Sequence, residues 1–452
     1  MGFDHAYWQD RLDTLRARHH VPGATLAVLA GGELHELASG VLHRGTGVAA
    51  TADSVFQAGS IAKVYTATLV LQLADAGLLS LDTRVADVLP GFAVADPDVT
   101  RGVTIGQLLT HTSGIAGDFT LDTGRGDDCL ARYVAACADA GQDCPPGTVI
   151  SYSSTGYALL GRVVEVLTGQ TWDAALRERV LEPLGLAHTM TLPEEALRFR
   201  TAMSHLGEPG AWPEPAPVWD LLPRSAGPSG RVLATAGDLV RFARAHLDGG
   251  TPVVSAGSAA LMRSRAVECL DTWSFMADAW GHGWALYDWD GVTGFGHDGA
   301  ALGQFSYLRV VPGSGVAAAL LTNGGRAGEL FAGLFQELLG ELAGVRMPGL
   351  FAPGPNPAEI EVGPLTGTYE RAGVRITITE RDGRPRVRWQ LTGGNAGFAA
   401  PIEADLVAVS DTVLAMPGLG PVAVPWLPLV FGTLPDGTPY VYTGMRAARK
   451  AG

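Results

Sequence analysis

Residues 347–364, MPGLFAPGPNPAEIEVGP, divide this chain. Proline fixes φ and removes a backbone donor, and glycine favours turns, so neither a helix nor a central strand runs through such a stretch. The text differs on its two sides. Before it, long apolar-periodic segments such as AGELFAGLFQELLGELAG read as helices; after it, from Leu365, the pattern is short alternating runs. VRITITERDGRPRVRWQL is two strands around Asp382-Gly383, and similar runs continue to Tyr442. The expectation is a large domain over 1–346, a linker over 347–364 and a small β-barrel over 365–452.

The two ends of the large domain mirror each other. Residues 4–20 suit an amphipathic helix, and ATLAVLA and LHELASG flank Gly31-Gly32, a dipeptide suited to a tight hairpin. Near the other end, GQFSYLRVV and GVAAALLTN flank Pro312-Gly313-Ser314, and a long helix follows. Between them lie mostly helical patterns and loops, including TIGQLLTHTSGI, GYALLGRVVEVLTGQ and ATAGDLVRFARAHL. This predicts an α/β (α+β) domain: an antiparallel sheet packed by terminal helices, with a helical subdomain inserted.

Charge narrows the partners. With 32 basic and 46 acidic residues the net charge is −14, which repels phosphate backbones and anionic lipid, so neither nucleic acid nor a membrane surface is expected. The N-terminal stretch is acidic from Asp4 and holds no apolar run of signal-peptide or spanning length, and a cytoplasmic protein is expected. Cys129, Cys137, Cys144 and Cys269 are too irregularly spaced for a disulfide framework or a zinc site, and read as buried free thiols. No metal or other cofactor is expected.

The chemistry lies in QAGSIAKVYTATLVLQLADAGLLSLD. A chain with 30 arginines has two lysines, Lys63 and Lys450, and places Lys63 three residues after Ser60, where a helical pattern begins. One helical turn sets the amine beside the hydroxyl. A partly desolvated amine near a helix N-terminus has a lowered pKa and can take the serine proton, while the N–H of Ser60 faces a developing oxyanion. PPGTVISYSSTGYALLG places Tyr152 and Ser154 in a loop before a helix. GFGHDGAALGQFSYLRV places His297, Gly299 and Ala300 at a strand edge, with the N–H of Ala300 as second oxyanion donor. Six of the ten tryptophans fall in two irregular stretches, and Trp212, Trp219, Trp273, Trp280, Trp284 and Trp289 could line a groove.

These three pieces resemble the serine β-lactamase and penicillin-binding-protein superfamily, whose pattern is S-x-x-K, then S-D-N or Y-x-N, then K-T-G. The resemblance covers roughly residues 5–345. Ser154 stands where that family usually has Asn, and His297 where it has Lys; the His form is similar to esterase, D-aminopeptidase-like and transferase branches. The β-rich C-terminus, GHDGA and YTGMRAARK make the chain most like the stand-alone penicillin-binding-protein-type thioesterases, nonribosomal peptide cyclases with a lipocalin-like β-domain. The resemblance implies that a peptidyl thioester, presented by a carrier-protein domain, acylates Ser60. The peptide's N-terminal amine then releases a macrolactam, with a D-configured C-terminal residue preferred. It implies substrate-binding roles for Arg446, Ser154 and Gly299; Trp219 is a further candidate from the tryptophan cluster. An esterase or D-peptidase of the same fold, and a non-catalytic binding protein, are the alternatives.

Overall fold

The structure, a computed structural model, describes residues 2–208, 210–393, 396, 400–418 and 424–451. Its first sheet has nine antiparallel strands. Their spatial order is Val48–Ala49, Glu33–His43, Gly23–Ala30, Val316–Thr322, Gln304–Val311, Val292–Ala301, Ala285–Trp289, Ala279–Trp280 and Val267–Glu268. The two hairpins read from the sequence are therefore neighbours. Strand Gly23–Ala30 pairs with Val316–Thr322 in the register Ala24 opposite Thr322.

Alternation decides which layer each side chain joins. Leu26 and Val28 point to the core shared with helices His5–Arg18 and Ala327–Ala343, through Trp8, Leu12, Leu330 and Leu334. Ala27 and Leu29 point the other way, to the core of helices Ala62–Asp75, Ser154–Thr168 and Ala236–Leu247. A strand buried on both faces is apolar throughout, which explains its unbroken ATLAVLA. The inserted segment adds a two-stranded sheet, Phe56–Gly59 with Val232–Ala234, whose first strand ends at the residue before Ser60.

The second body has nine described antiparallel strands between Gly367 and Lys450. Its two outermost strands, Ile402–Asp405 and Val407–Ser410, are consecutive in sequence and separated only by Leu406. A sheet whose edges are joined by one residue must curl until they meet, so the strands form a nearly closed barrel. Asp382 and Gly383 make the expected hairpin turn, both at positive φ. Residues 347–364 are packed against the protein: Met347 and Val362 are buried, and Phe351 lies 5.2 Å from the Trp273 ring.

The two bodies share a core. Tyr442, Met445 and Ala447 of the barrel belong to the cluster that holds Tyr152 and Trp280. Burying each large side chain contributes about 1.5–3 kcal/mol. All four cysteines are free and buried. Among the described residues no helix is long and apolar enough to cross a membrane.

Candidate active site

Ser60 sits where strand Phe56–Gly59 turns into helix Ala62–Asp75. The turn is tight: the Lys63 N–H donates to the Ser60 carbonyl at 3.0 Å, which puts both side chains on one face. The Lys63 amine lies 3.3 Å from Ser60 Oγ and 3.3 Å from Ser154 Oγ, and donates to the Ser229 carbonyl at 2.6 Å. Lys63 is fully buried. Burial above all, and then the Arg446 charge, hold its pKa well below the ordinary lysine value against a smaller opposing pull from Asp118. The amine is thus disposed to be neutral and to accept a proton from Ser60.

Tyr152 stands over this amine, with Lys63 Nζ 4.6 Å from its ring centroid. Its phenol is raised well above the ordinary value by burial, against the lowering pull of Ser60 and Arg446, so it keeps its proton. Ser153 caps the helix that begins at Ser154, accepting the Gly156 N–H at 2.9 Å, so Ser154 is the first residue of the helix and not part of the loop expected. His297 Nδ1 lies 2.6 Å from the Asp298 carbonyl. A carbonyl only accepts, so Nδ1 carries the hydrogen and Nε2 offers a free lone pair. Burial above all lowers this imidazole to about 3 and keeps it neutral.

Strand Val292–Ala301 is interior to the sheet, not an edge as expected, yet its neighbour Ala285–Trp289 pairs it only as far as Gly296. Residues 297–301 therefore have one open side, and strand Phe56–Gly59 lies against it. Two glycines permit the approach. A Cβ on Gly59 would lie 2.6 Å from the Ala300 nitrogen, and one on Gly299 would lie 2.0 Å from the Ala58 carbonyl oxygen. This brings the Ala300 backbone against the turn carrying Ser60. Gly299→Ala is expected to force the two strands apart and to lower acyl transfer by roughly 10²-fold, the cost of losing one oxyanion donor. A steady-state assay checks it, and a change below about threefold would show that Ala300 supplies no such donor.

The barrel reaches into this site. Arg446 lies with its guanidinium 5.0 Å from the Tyr152 ring centroid and 3.0 Å from the Asp118 carboxylate, and Arg371 pairs with the same carboxylate. Burial raises Asp118, but the two guanidinia, Arg446 first, outweigh it and leave its pKa lowered. Ser60, Asp118, Tyr152, Ser154, Gly299, Ala300 and Arg446 all border one cavity of about 450 Å³, walled by Phe119, Leu121, Leu222 and Phe275.

Trp219 does not reach that cavity. Its indole N–H donates to the Ala202 carbonyl at 2.8 Å, and its ring packs on Val55, Met190, Ala196 and Leu233. Nor do tryptophans line a groove: Trp284 and Trp280 are fully buried, Trp289 stacks on Tyr287, Trp273 packs on Phe351, and Trp212 lies under Arg44. Indoles this large fill core volume where the sheet has it to fill. His111, Asp118, Arg371 and Ser229 were not foreseen. His111 stood within a helical pattern, and Asp118 meets its partners only across 253 and 328 residues of sequence.

A serine beside a buried lysine whose pKa is lowered, with a buried phenol over that amine and the Ala300 backbone against the turn that carries the serine, fits an acyl-enzyme hydrolase or transferase. The chain belongs to the Beta-lactamase family, whose profile matches residues 8–339. It is 76% identical to Penicillin-binding protein 4 of Amycolatopsis lactamdurans over 82% of this chain and 99% of that one. The crystal structure of SurE matches 99% of both chains at 27% identity and a TM-score of 0.79, and SurE with D-Leu does so at 26% and 0.73. The D-amino acid amidase from Ochrobactrum anthropi SV3 matches at 25% identity and a TM-score of 0.61, over 71% of this chain and 91% of that one. The SurE match thus extends through the barrel.

Proposed function

We propose that the protein takes a peptidyl thioester onto Ser60 and releases the peptide as a head-to-tail macrolactam, with a D-configured residue at the junction. The observation that carries this reading is the barrel's place at the site: Arg446 of the second body touches the Tyr152 ring that stands over Lys63. The two-body SurE match, with a D-Leu complex among its structures, supports it. So does the thioesterase resemblance of GHDGA and the C-terminal segment. A thioester implies a carrier-protein domain as the donor.

In the first step neutral Lys63 takes the Ser60 proton as Oγ attacks the thioester carbon. The carbonyl oxygen gains charge toward the N–H groups of Ser60 and Ala300, and the thiolate leaves without help from an acid, then takes up the proton from Lys63. The second step needs more. The attacking amine must lose one proton while Ser60 Oγ regains one. A phenol that never ionises serves both: Tyr152 hands its own proton to Oγ as it takes the proton of the amine. His297, neutral with Nε2 free, orients that transfer. Apolar walls around the folded-back peptide favour amine over water.

A second reading, release by water as an esterase or D-peptidase, is favoured by the 76% identical relative named a penicillin-binding protein and by the D-amino acid amidase match. Peptidyl thioesters ending in D or L residues, followed by intact mass of the products with Ser60→Ala as control, separate the two. Rings from D-ending substrates are expected. Linear acid alone, together with stoichiometric labelling of Ser60 by a fluorescent penicillin, would replace the first reading by the second.

A further inference from the structure

Tyr152 is held on both sides by one residue that the mechanism above does not use. The capping box of Thr104 and Gln107 starts helix Ile105–Leu109, and the chain then turns at His111, which takes the left-handed conformation at φ 60°. This fully buried histidine accepts the Ser151 N–H on its carbonyl at 2.8 Å and the Ser153 N–H on its Nδ1 at 3.0 Å. The residue between those two amides is Tyr152, whose own N–H donates to the Met445 carbonyl at 2.7 Å. Three successive amides are thus tied down, two of them by His111.

The ring of His111 also packs beneath the phenol. Its centroid is 4.4 Å from that of Tyr152, tilted by 33°, and Trp280 stands edge-on to both. Because Nδ1 accepts a backbone N–H, the neutral ring carries its hydrogen on Nε2, and that donor has no protein partner among the described residues. A left-handed conformation in a residue other than glycine is costly, and such cost gathers where a site requires it. His111 does not border the substrate cavity, so it acts through Tyr152 and not on the substrate.

We propose that His111 is the positioning residue for the Tyr152 proton shuttle, fixing the phenol over Ser60 by bonds to the amides on either side and by stacking. This rests on the reading of Tyr152 as the shuttle. The two steps of the reaction then test it, because a thiolate leaves without acid assistance whereas the amine step passes its protons through the phenol.

The experiment measures acylation by an activated peptidyl thioester and, separately, release of that acyl-enzyme by a peptide amine. The chains compared are His111→Ala, His111→Asn, Tyr152→Phe and the His111→Ala/Tyr152→Phe double variant. For His111→Ala the expected result is acylation within about tenfold of the parent and aminolysis slowed roughly 10²-fold. His111→Asn, which tolerates the left-handed backbone and places an acceptor near the Ser153 N–H, recovers most of that loss. The double variant is no slower than Tyr152→Phe, since residues acting as one unit are not additive.

Equal slowing of both steps, or multiplied losses in the double variant, would overturn the proposal and leave His111 a strut of the fold. Aminolysis at the parent rate in Tyr152→Phe would instead remove the shuttle reading itself, and with it this role. If His111→Ala does not fold, His111→Gln replaces it; the glutamine amide falls where Nε2 lay, away from the Ser153 N–H, and the same slowing of aminolysis alone is expected.

Discussion

Changing Lys63 to arginine is expected to slow acylation of Ser60 by about 10³-fold or more, although it keeps a basic group and nearly the length of the side chain. The reason is the proton. Lys63 lies wholly out of water, beside Arg446, and both conditions favour its neutral form. Arginine cannot shed its proton, so the variant would place a permanent cation 3.3 Å from the serine oxygen and leave no base to take the hydroxyl hydrogen. A stopped-flow burst of thiol from an aryl thioester measures this, with intact mass confirming the acyl-enzyme; a burst at the parent rate would mean that another group activates Ser60. The same chemistry sets the pH profile. An amine works as a base when deprotonated, so acylation in the parent rises with pH through the lowered Lys63 pKa and levels off well below the ordinary lysine value near 10.4.

Changing Asp118 to asparagine is expected to cost roughly 3 kcal/mol of stability, the low end for removing one partner of a buried pair. The low end applies because the Asp118 side chain is 26% exposed and Asp143 still acts on Arg371, but Arg371 at 7% and Arg446 at 20% would lose the carboxylate they pair with. An ordinary surface pair such as Arg375 with Glu370 is worth at most about 1 kcal/mol, so the contrast between the two variants is measurable by urea unfolding. The pH dependence has a definite sign. The Asp118 pKa is lowered in the folded state, so its contribution is complete above the unfolded carboxylate value near 3.9 and is lost as pH falls through the folded value. A loss below about 0.5 kcal/mol in the Asn variant would show that this ion-pair cluster adds little to holding the barrel on the first body.

The parts of the site that lie within one helical turn or one strand were legible in the sequence. Ser60 and Lys63 were set by their spacing of three, and the hairpins at Gly31-Gly32 and Asp382-Gly383 by turn chemistry. The barrel followed from alternation, and its near closure from strand order, which the sequence does not state. What escaped notice has a common physical cause. Trp219 and its neighbours look like ligand aromatics because indole serves binding and packing equally well, and only burial distinguishes the two. Asp118 and Arg371 carry no local pattern at all, since their partnership is created by docking two separately patterned bodies. His111 was in view inside THTSG, but the periodicity around it spoke of a helix, and the left-handed turn that gives the residue its bonds is a tertiary outcome.

The bond from the Tyr152 amide to the Met445 carbonyl has a consequence for how the protein is made. Met445 follows Ser60 by 385 residues, the difference of the two positions, and lies seven residues from the end of the sequence as given. At about 5–20 residues per second, translation delivers it roughly 20–75 s after Ser60. Through that interval Ser60 and Lys63 exist without the carbonyl that accepts the Tyr152 N–H or the arginine whose charge lowers the amine's pKa. This cluster is therefore assembled only after the barrel's last strands have been made, and a product truncated before Met445 carries Ser60 and Lys63 without these two partners.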